Sequence, residues 1–179
     1  DNAGTMTDRQ YAIVVGGLNN TASGIQSFVG GGSANTASGM HAIAVGGISN
    51  TAIGLQSFVG GGQGNSASTT QSAVGGGLNN TASGTNSFVG GGQLNTAAGA
   101  LSVIAGGFTN LASETGSFVG GGANAVASHY GQNAHASGMF AANGDAQTSV
   151  FVARNTTNNA VATELFLDGT GVRLTIPSG

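Results

Sequence analysis

Residues 20–34 read Asn-Thr-Ala-Ser-Gly-Ile-Gln-Ser-Phe-Val-Gly-Gly-Gly-Ser-Ala, and after these 15 residues the phrase starts again at Asn35. Copies open at Asn50, Asn65, Asn80, Asn95 and Asn110, a degenerate one opens at Ala125, and an eroded one aligns at Thr5. A short, fixed period sustained over most of a chain marks a solenoid, in which each repeat buries its apolar side against the next.

Columns of the repeat carry separate messages. The third is alanine in every copy from Asn20 onward, from Ala22 and Ala37 to Ala127. The twelfth and thirteenth are Gly-Gly, as at Gly31 and Gly32, Gly61 and Gly62, Gly91 and Gly92, which predicts a tight corner at one phase of every coil. The apolar run Ser-Phe-Val is too short for a helix and reads as a strand, with a second short strand near Asn-Thr-Ala-Ser. Columns nine and ten are both apolar, giving Phe28 and Val29, Phe58 and Val59, Phe88 and Val89, Phe118 and Val119. Successive strand residues point to opposite faces, so one series fills the interior of the coil and the other requires cover from outside. Further copies of the chain would supply it, so a homo-oligomer is expected, with either series on the inside.

Column nine also beats every second coil, Phe28, Phe58, Phe88 and Phe118 alternating with Ile43, Ala73 and Val103. Relief of crowding between rings stacked about 4.8 Å apart explains this, and so does duplication of a two-coil unit. The repeated asparagines, Asn20, Asn35, Asn50, Asn65, Asn80, Asn95 and Asn110, are expected to stack into a ladder of side-chain amides.

Composition narrows the function. Of 179 residues 35 are glycine and only 5% are charged, lysine is absent, and no Asp, Glu, Lys or Arg lies between Gln10 and Ser113. Three arginines cannot neutralise a phosphate backbone, so nucleic acid is not an expected partner. Without cysteine there is neither a disulfide framework nor a thiolate metal site, which leaves the compartment open. No segment has the length of a transmembrane helix and the first residues lack a signal-peptide pattern, so no membrane insertion is expected.

Along the chain, residues 1–10 read as an adaptor or frayed start and 11–139 as the β-roll, whose last copy near Ala125 is atypical, as a terminal repeat should be. Residues 140–179 read as a small β-meander that continues past the last residue. Its strands are expected at Gln147 to Arg154, Ala162 to Leu167 and Val172 to Ile176, the last two joined by the turn Asp168-Gly169-Thr170-Gly171.

The units Ala-Ser-Gly-Ile-Gln-Ser-Phe-Val-Gly-Gly-Gly at 22–32 and Ala-Ser-Gly-Thr-Asn-Ser-Phe-Val-Gly-Gly-Gly at 82–92 resemble the YadA-like head repeats of trimeric autotransporter adhesins. The resemblance covers roughly residues 11–139 and implies a homotrimer of left-handed parallel β-rolls, each with one face on a three-fold axis. The longer period and the Gly-Gly-Gly corner depart from that pattern and bear on turn geometry more than on the coil. Residues 144–154 with Leu165-Phe166-Leu167-Asp168-Gly169 resemble the segment that follows such repeats in phage tail fibre proteins.

Sites of chemistry are sparse. His41 occupies a column otherwise held by Gln26, Gln56 and Gln71 and reads as a surface residue. Three-fold symmetry could gather three copies of either His129 or His135 around an axis as a metal site, although polar cap residues are the simpler reading. Glu114, Asp145, Glu164 and Asp168 are scattered, and Asp145 could form an ion pair with Arg154 of another subunit. The glycine runs lack the Lys-Ser/Thr ending of a phosphate loop and no calcium nonapeptide is present, so no cofactor is expected. Sequons stand at Asn19, Asn79 and Asn155. Columns two and four form a hydroxyl array, Thr21 with Ser23 and Thr81 with Ser83, that resembles an ice-binding face but is broken by Ile53, Ala98 and Leu111.

The expectation is therefore an all-β, non-enzymatic segment of an extracellular fibre, about eight coils and on the order of 40 Å long, as in a phage tail fibre. Its partners would be copies of itself and a host-cell surface receptor or glycan, bound by multivalency. The alternatives are the head of a bacterial adhesin, or a subunit of a filament joined end to end through open coil edges.

Overall fold

The computed structural model describes residues 5–6 and 11–151. Among them there is no helix, and the chain winds as a β-solenoid of about eight parallel coils followed by a short antiparallel tail. The expected strands Ala162 to Leu167 and Val172 to Ile176, the Asp168 turn, Glu164, Arg154 and the Asn155 sequon lie outside the described residues, as does most of the 1–10 segment.

Each full coil gives two strands of two residues, one Thr-Ala and one Phe-Val in the best-kept copies. A nine-stranded parallel sheet runs from Thr5–Met6 through Thr21–Ala22 to Val126–Ala127. A ten-stranded sheet runs from Ile13–Val14 through Phe28–Val29 to the tail. Every residue faces its equivalent in the next copy: Thr21 lies opposite Thr36, and Phe28 opposite Ile43. Two-residue strands cannot stand alone; they persist because each is bonded to a copy above and below, as Phe28 N–H donates to the Ala42 carbonyl at 2.9 Å. A third ladder of single bridges, Leu18 to Ser33 to Ile48 and on to Ala123, closes the remaining side.

The interior is narrow. The column-three alanines pack with the inward residues of the second sheet in two successive clusters, Ala22 to Ala67 with Val29, Ala44 and Val59, and Ala82 to Ala127 with Val74, Val89, Ile104 and Val119, all fully buried. Alanine recurs because the facing valines leave room for a methyl group and little more.

Three bends turn each coil. At the glycine corner the second residue carries the strain: Gly32, Gly62 and Gly92 have φ of 84°, 83° and 86°, and a Cβ there would collide with the backbone of the coil above. The other two bends use residues other than glycine in most copies. Gln26, His41, Gln56, Gln71, Asn86 and Leu101 take φ of 55–58° at one, and Asn19, Ala34, Ser49, Asn79, Leu94 and Thr109 take 54–58° at the other. Left-handed backbone costs such residues about 1–2 kcal/mol. It is held by bonds between coils, such as His41 N–H to Ile25 O at 2.8 Å and Ala34 N–H to Leu18 O at 2.8 Å.

The C-terminal end of the stack is closed. The Phe118–Ala123 strand lengthens and pairs with Asn133–Ser137 across an irregularity between Val119 and Gly122; Gln147–Val150 then adds antiparallel. On the other sheet, the Gln147 side chain imitates a further strand. Its Oε1 accepts from Val126 N–H at 2.7 Å and its Nε2 donates to Val126 O at 2.8 Å. Buried Gln132 ties the last bend, accepting from Ser128 N–H at 2.7 Å and His129 N–H at 3.1 Å and donating to Ser149 Oγ at 2.9 Å.

Asp145 fastens the turn before the tail. Its carboxylate accepts from the N–H groups of Phe140, Ala141 and Ala142 at 2.9, 2.6 and 2.8 Å, and these bonds hold its pKa below the usual 3.8. A depressed folded pKa means that this contribution is complete above the ordinary value and is lost as pH falls through the lower folded one. Amide exchange at Phe140, Ala141 and Ala142, measured relative to its intrinsic rate at each pH, should thus stay slow near neutrality and quicken in acid. Asp145→Asn should quicken it at all pH values and flatten the acid response; equal, pH-independent protection in both proteins would refute the assignment.

Candidate functional site: an outward apolar ladder and an inward amide ladder

The strand with two apolar faces divides its residues unequally. Val29, Val59, Val89 and Val119 point inward and are fully buried, which settles the alternative left open by the sequence. Phe28, Phe58, Phe88 and Phe118 lie on the outer side, the last three 37%, 41% and 39% exposed. Each ring bends along its own strand: the Cε1 atoms of Phe28, Phe58, Phe88 and Phe118 come within 3.2–3.5 Å of where a Cβ on Gly30, Gly60, Gly90 and Gly120 would sit. Glycine two residues after each phenylalanine therefore lets the ring lie flat. In two intervening coils the paired residues are exposed aliphatics, Ile13 with Val15 and Ile43 with Val45, and in the other two they are smaller, Ala73 with Gly75 and Val103 with Ala105. The result is a continuous, uncharged apolar stripe on the outer face of the second sheet.

Opposite in character is the asparagine ladder, wholly buried from Asn20 to Asn110. In Asn35 the side-chain Nδ2 donates to Gly31 O at 2.9 Å in its own corner and to Gly47 O at 2.9 Å in the next. Its Oδ1 accepts from Asn50 N–H at 3.0 Å. The expected amide-to-amide contact occurs at Asn35 to Asn20, Asn95 to Asn80 and Asn110 to Asn95, at 3.1, 3.1 and 3.0 Å. Most of the ladder's bonds run to backbone, so each side chain rivets one glycine corner to the next.

The buried serine column is less well served. Ser27, Ser57, Ser87 and Ser102 have hydroxyls without a hydrogen-bond partner. Ser72 and Ser117 donate to Thr69 O at 2.8 Å and Glu114 O at 2.7 Å, in the two coils where Thr or Glu replaces the usual glycine three residues earlier. Ala42 fills the same column with no polar atom to satisfy.

The hydroxyl array of columns two and four occupies the outer face of the first sheet, with Thr21, Ser23, Thr81 and Ser83 partly exposed and Ile53 45% exposed among them. His41 is exposed at a bend. His129 lies edge-on to Phe151, ring centroids 5.3 Å apart, with Nδ1 3.2 Å from Gln132 Oε1, while His135 is exposed on the Asn133–Ser137 strand. Among the described residues no three His, Cys, Asp or Glu side chains come together as metal ligands, and no helix is long and apolar enough to cross a membrane.

Fold and surface together define the class, a repetitive β-solenoid with one apolar outer face. No protein-family model matches the chain, and no characterised protein matches it either.

Two features escaped sequence reading. The left-handed bends fall on residues as unlike as Gln, Leu, Ala and Asn, so no residue type announced them. Gln132 and Gln147 cap by geometry alone, and only their place after the last full copy hinted at it.

The two polar columns should respond oppositely to truncation. Asn65→Ala deprives Asn80 N–H and the Gly61 carbonyl of their partners and removes one of two bonds to Gly77 O, which keeps that from Gln63 N–H. At about 1–3 kcal/mol for a buried orphaned group, urea denaturation should show a loss of several kcal/mol. Ser57→Ala removes an unsatisfied hydroxyl and should be neutral or stabilising. Ser72→Ala should cost about 0.5–1.5 kcal/mol, and equal losses in the two serine variants would overturn this reading.

Proposed function

We propose that the chain is a non-enzymatic, structural and adhesive segment of an extracellular trimeric fibre of the phage tail fibre kind. It works through shape. Three rolls with their apolar stripes turned inward would form a stiff rod whose remaining faces, rich in Thr, Ser, Asn and Gln, repeat the same weak contacts along its length. A host-cell receptor or glycan would be held by many such contacts together, avidity taking the place of a deep pocket.

The observation that carries this reading is the outward ladder from Ile13 to Phe118, continuous, uncharged and without cover in a single chain. Self-association is its simplest cover, since all copies bring a stripe of the same length and spacing. The resemblance of the repeats to trimeric adhesin heads, and of residues 144–154 to a tail-fibre segment, supports the number three and the virion setting. An end-to-end filament is weaker, because Gln147 and the antiparallel tail occupy the edge that an incoming coil would use.

Sedimentation or light scattering of the intact protein should give a mass three times that of one chain, and the labelled trimer should adsorb to susceptible bacterial cells. A well-folded monomer would sink the assembly; a trimer that adsorbs to no cell surface would leave a rod and remove the adhesive role.

A further inference from the structure

Two features of the repeat lack a cause within one chain. The first is the leading glycine of the corner, present in eight copies as Gly16, Gly31, Gly46, Gly61, Gly76, Gly91, Gly106 and Gly121. At Gly61 and Gly121 φ is 155° and 135°, which favours glycine, but at Gly31, Gly46, Gly76, Gly91 and Gly106 it lies outside the left-handed range. A Cβ at Gly31 or Gly91 would have nothing within 4 Å; at Gly46 and Gly76 its nearest neighbour would be at 3.9 Å, and at Gly106 at 4.0 Å, ordinary contact distances. Glycine where alanine fits costs stability, about 0.4–1 kcal/mol through the freedom of the unfolded chain. Yet these positions never carry a side chain.

The second is an opposition of bulk between the two outward ladders that flank this corner. Coils with Phe28, Phe58, Phe88 and Phe118 in column nine have Ser33, Gln63, Gln93 and Ala123 in column fourteen. Coils with Ile13, Ile43, Ala73 and Val103 have Leu18, Ile48, Leu78 and Phe108. Copying of a two-coil unit accounts for the four identical phenylalanines, but in the other three series identities drift while the alternation of size persists. Both ladders are incompletely covered in the single chain, Leu18, Ile48 and Phe108 being 52%, 51% and 45% exposed.

We propose that a second copy of the chain docks over the glycine edge, the column-fourteen side of one protomer against the column-nine side of the next, coil level with coil. This rests on the trimer reading and adds which faces meet: unlike faces, joined in rotation around the ring, in place of three identical phenylalanine ladders meeting on the axis. A ring whose axis parallels the stack holds equal coils at equal height. Phe28 then faces Ser33, Phe58 faces Gln63, Ala73 faces Leu78 and Val103 faces Phe108, so no level pairs two phenylalanines and the interface keeps a more even width. Identical ladders would crowd rings on alternate levels and leave a void at Ala73, and close packing tolerates neither well. The bare glycine edge lets the partner's backbone approach between the two ladders. No charge lies between Gln10 and Ser113, so the proposed contact along these coils desolvates none.

The test uses the absence of cysteine from the chain. Phe88→Cys and Gln93→Cys chains, distinguished by tags of different size, are refolded together and oxidised. Disulfide-linked pairs should form between the two kinds of chain and not between two Phe88→Cys chains. Links only between Phe88→Cys chains would show identical ladders meeting and overturn the proposal while leaving the trimer standing; a monomeric native mass would remove the trimer itself. Independently, Gly46→Ala/Gly76→Ala/Gly106→Ala should keep its far-ultraviolet spectrum and lose at least tenfold in trimer affinity. A rise in thermal midpoint with the trimer intact would mean that the edge faces solvent, and would also overturn the proposal.

Discussion

In-register stacking is the constraint on which this protein depends. Each residue lies above and below its own equivalent, as Thr36 lies between Thr21 and Thr51, so whatever a position does it does along the whole stack. A side chain that tolerates its own likeness at strand spacing is repeated; one that does not must alternate or shrink. Alanine in the first sheet, buried asparagine at the corner and the alternation of phenylalanine with smaller residues all answer that demand. The asparagines convert it into cohesion, because each amide satisfies its own corner's leading carbonyl, as at Gly31 O, and adds a second bond to a carbonyl of the next corner, as at Gly47 O.

Stability in such a molecule is spread evenly and locally. With a core only one alanine and one valine deep per coil, no residue anchors the whole. Each coil contributes nearest-neighbour hydrogen bonds and a small apolar contact, the regime in which ends matter most. The elaborate C-terminal closure fits that regime. Gln132 and Gln147 lie within 16 residues and bind mainly to backbone groups that an interior coil would bond to its neighbour, while Asp145 between them fastens the turn.

Periodicity made much of this legible from sequence. The Phe-Val and Thr-Ala strands, the glycine corner and the asparagine ladder each stood out as a column, since repetition averages away the ambiguity of any one copy. Which of Phe28 and Val29 faces inward was not legible, because both are apolar and a two-residue strand has no longer alternation to set its phase. The left-handed bends were hidden for a different reason. Their strain is met by backbone bonds between coils, and these leave no mark on residue type. The unsatisfied serines went unnoticed likewise: in most coils their small size suits a tight interior, and their hydroxyls find nothing.

The alternation of large and small residues bears on how the molecule can change length. Removing or adding one coil anywhere inside the stack preserves every strand pairing, since each coil meets only its neighbours. It would nevertheless set two bulky or two slender levels side by side. Growth and shortening without such a fault come in units of two coils, 30 residues, so that related rods would differ in length by even numbers of turns.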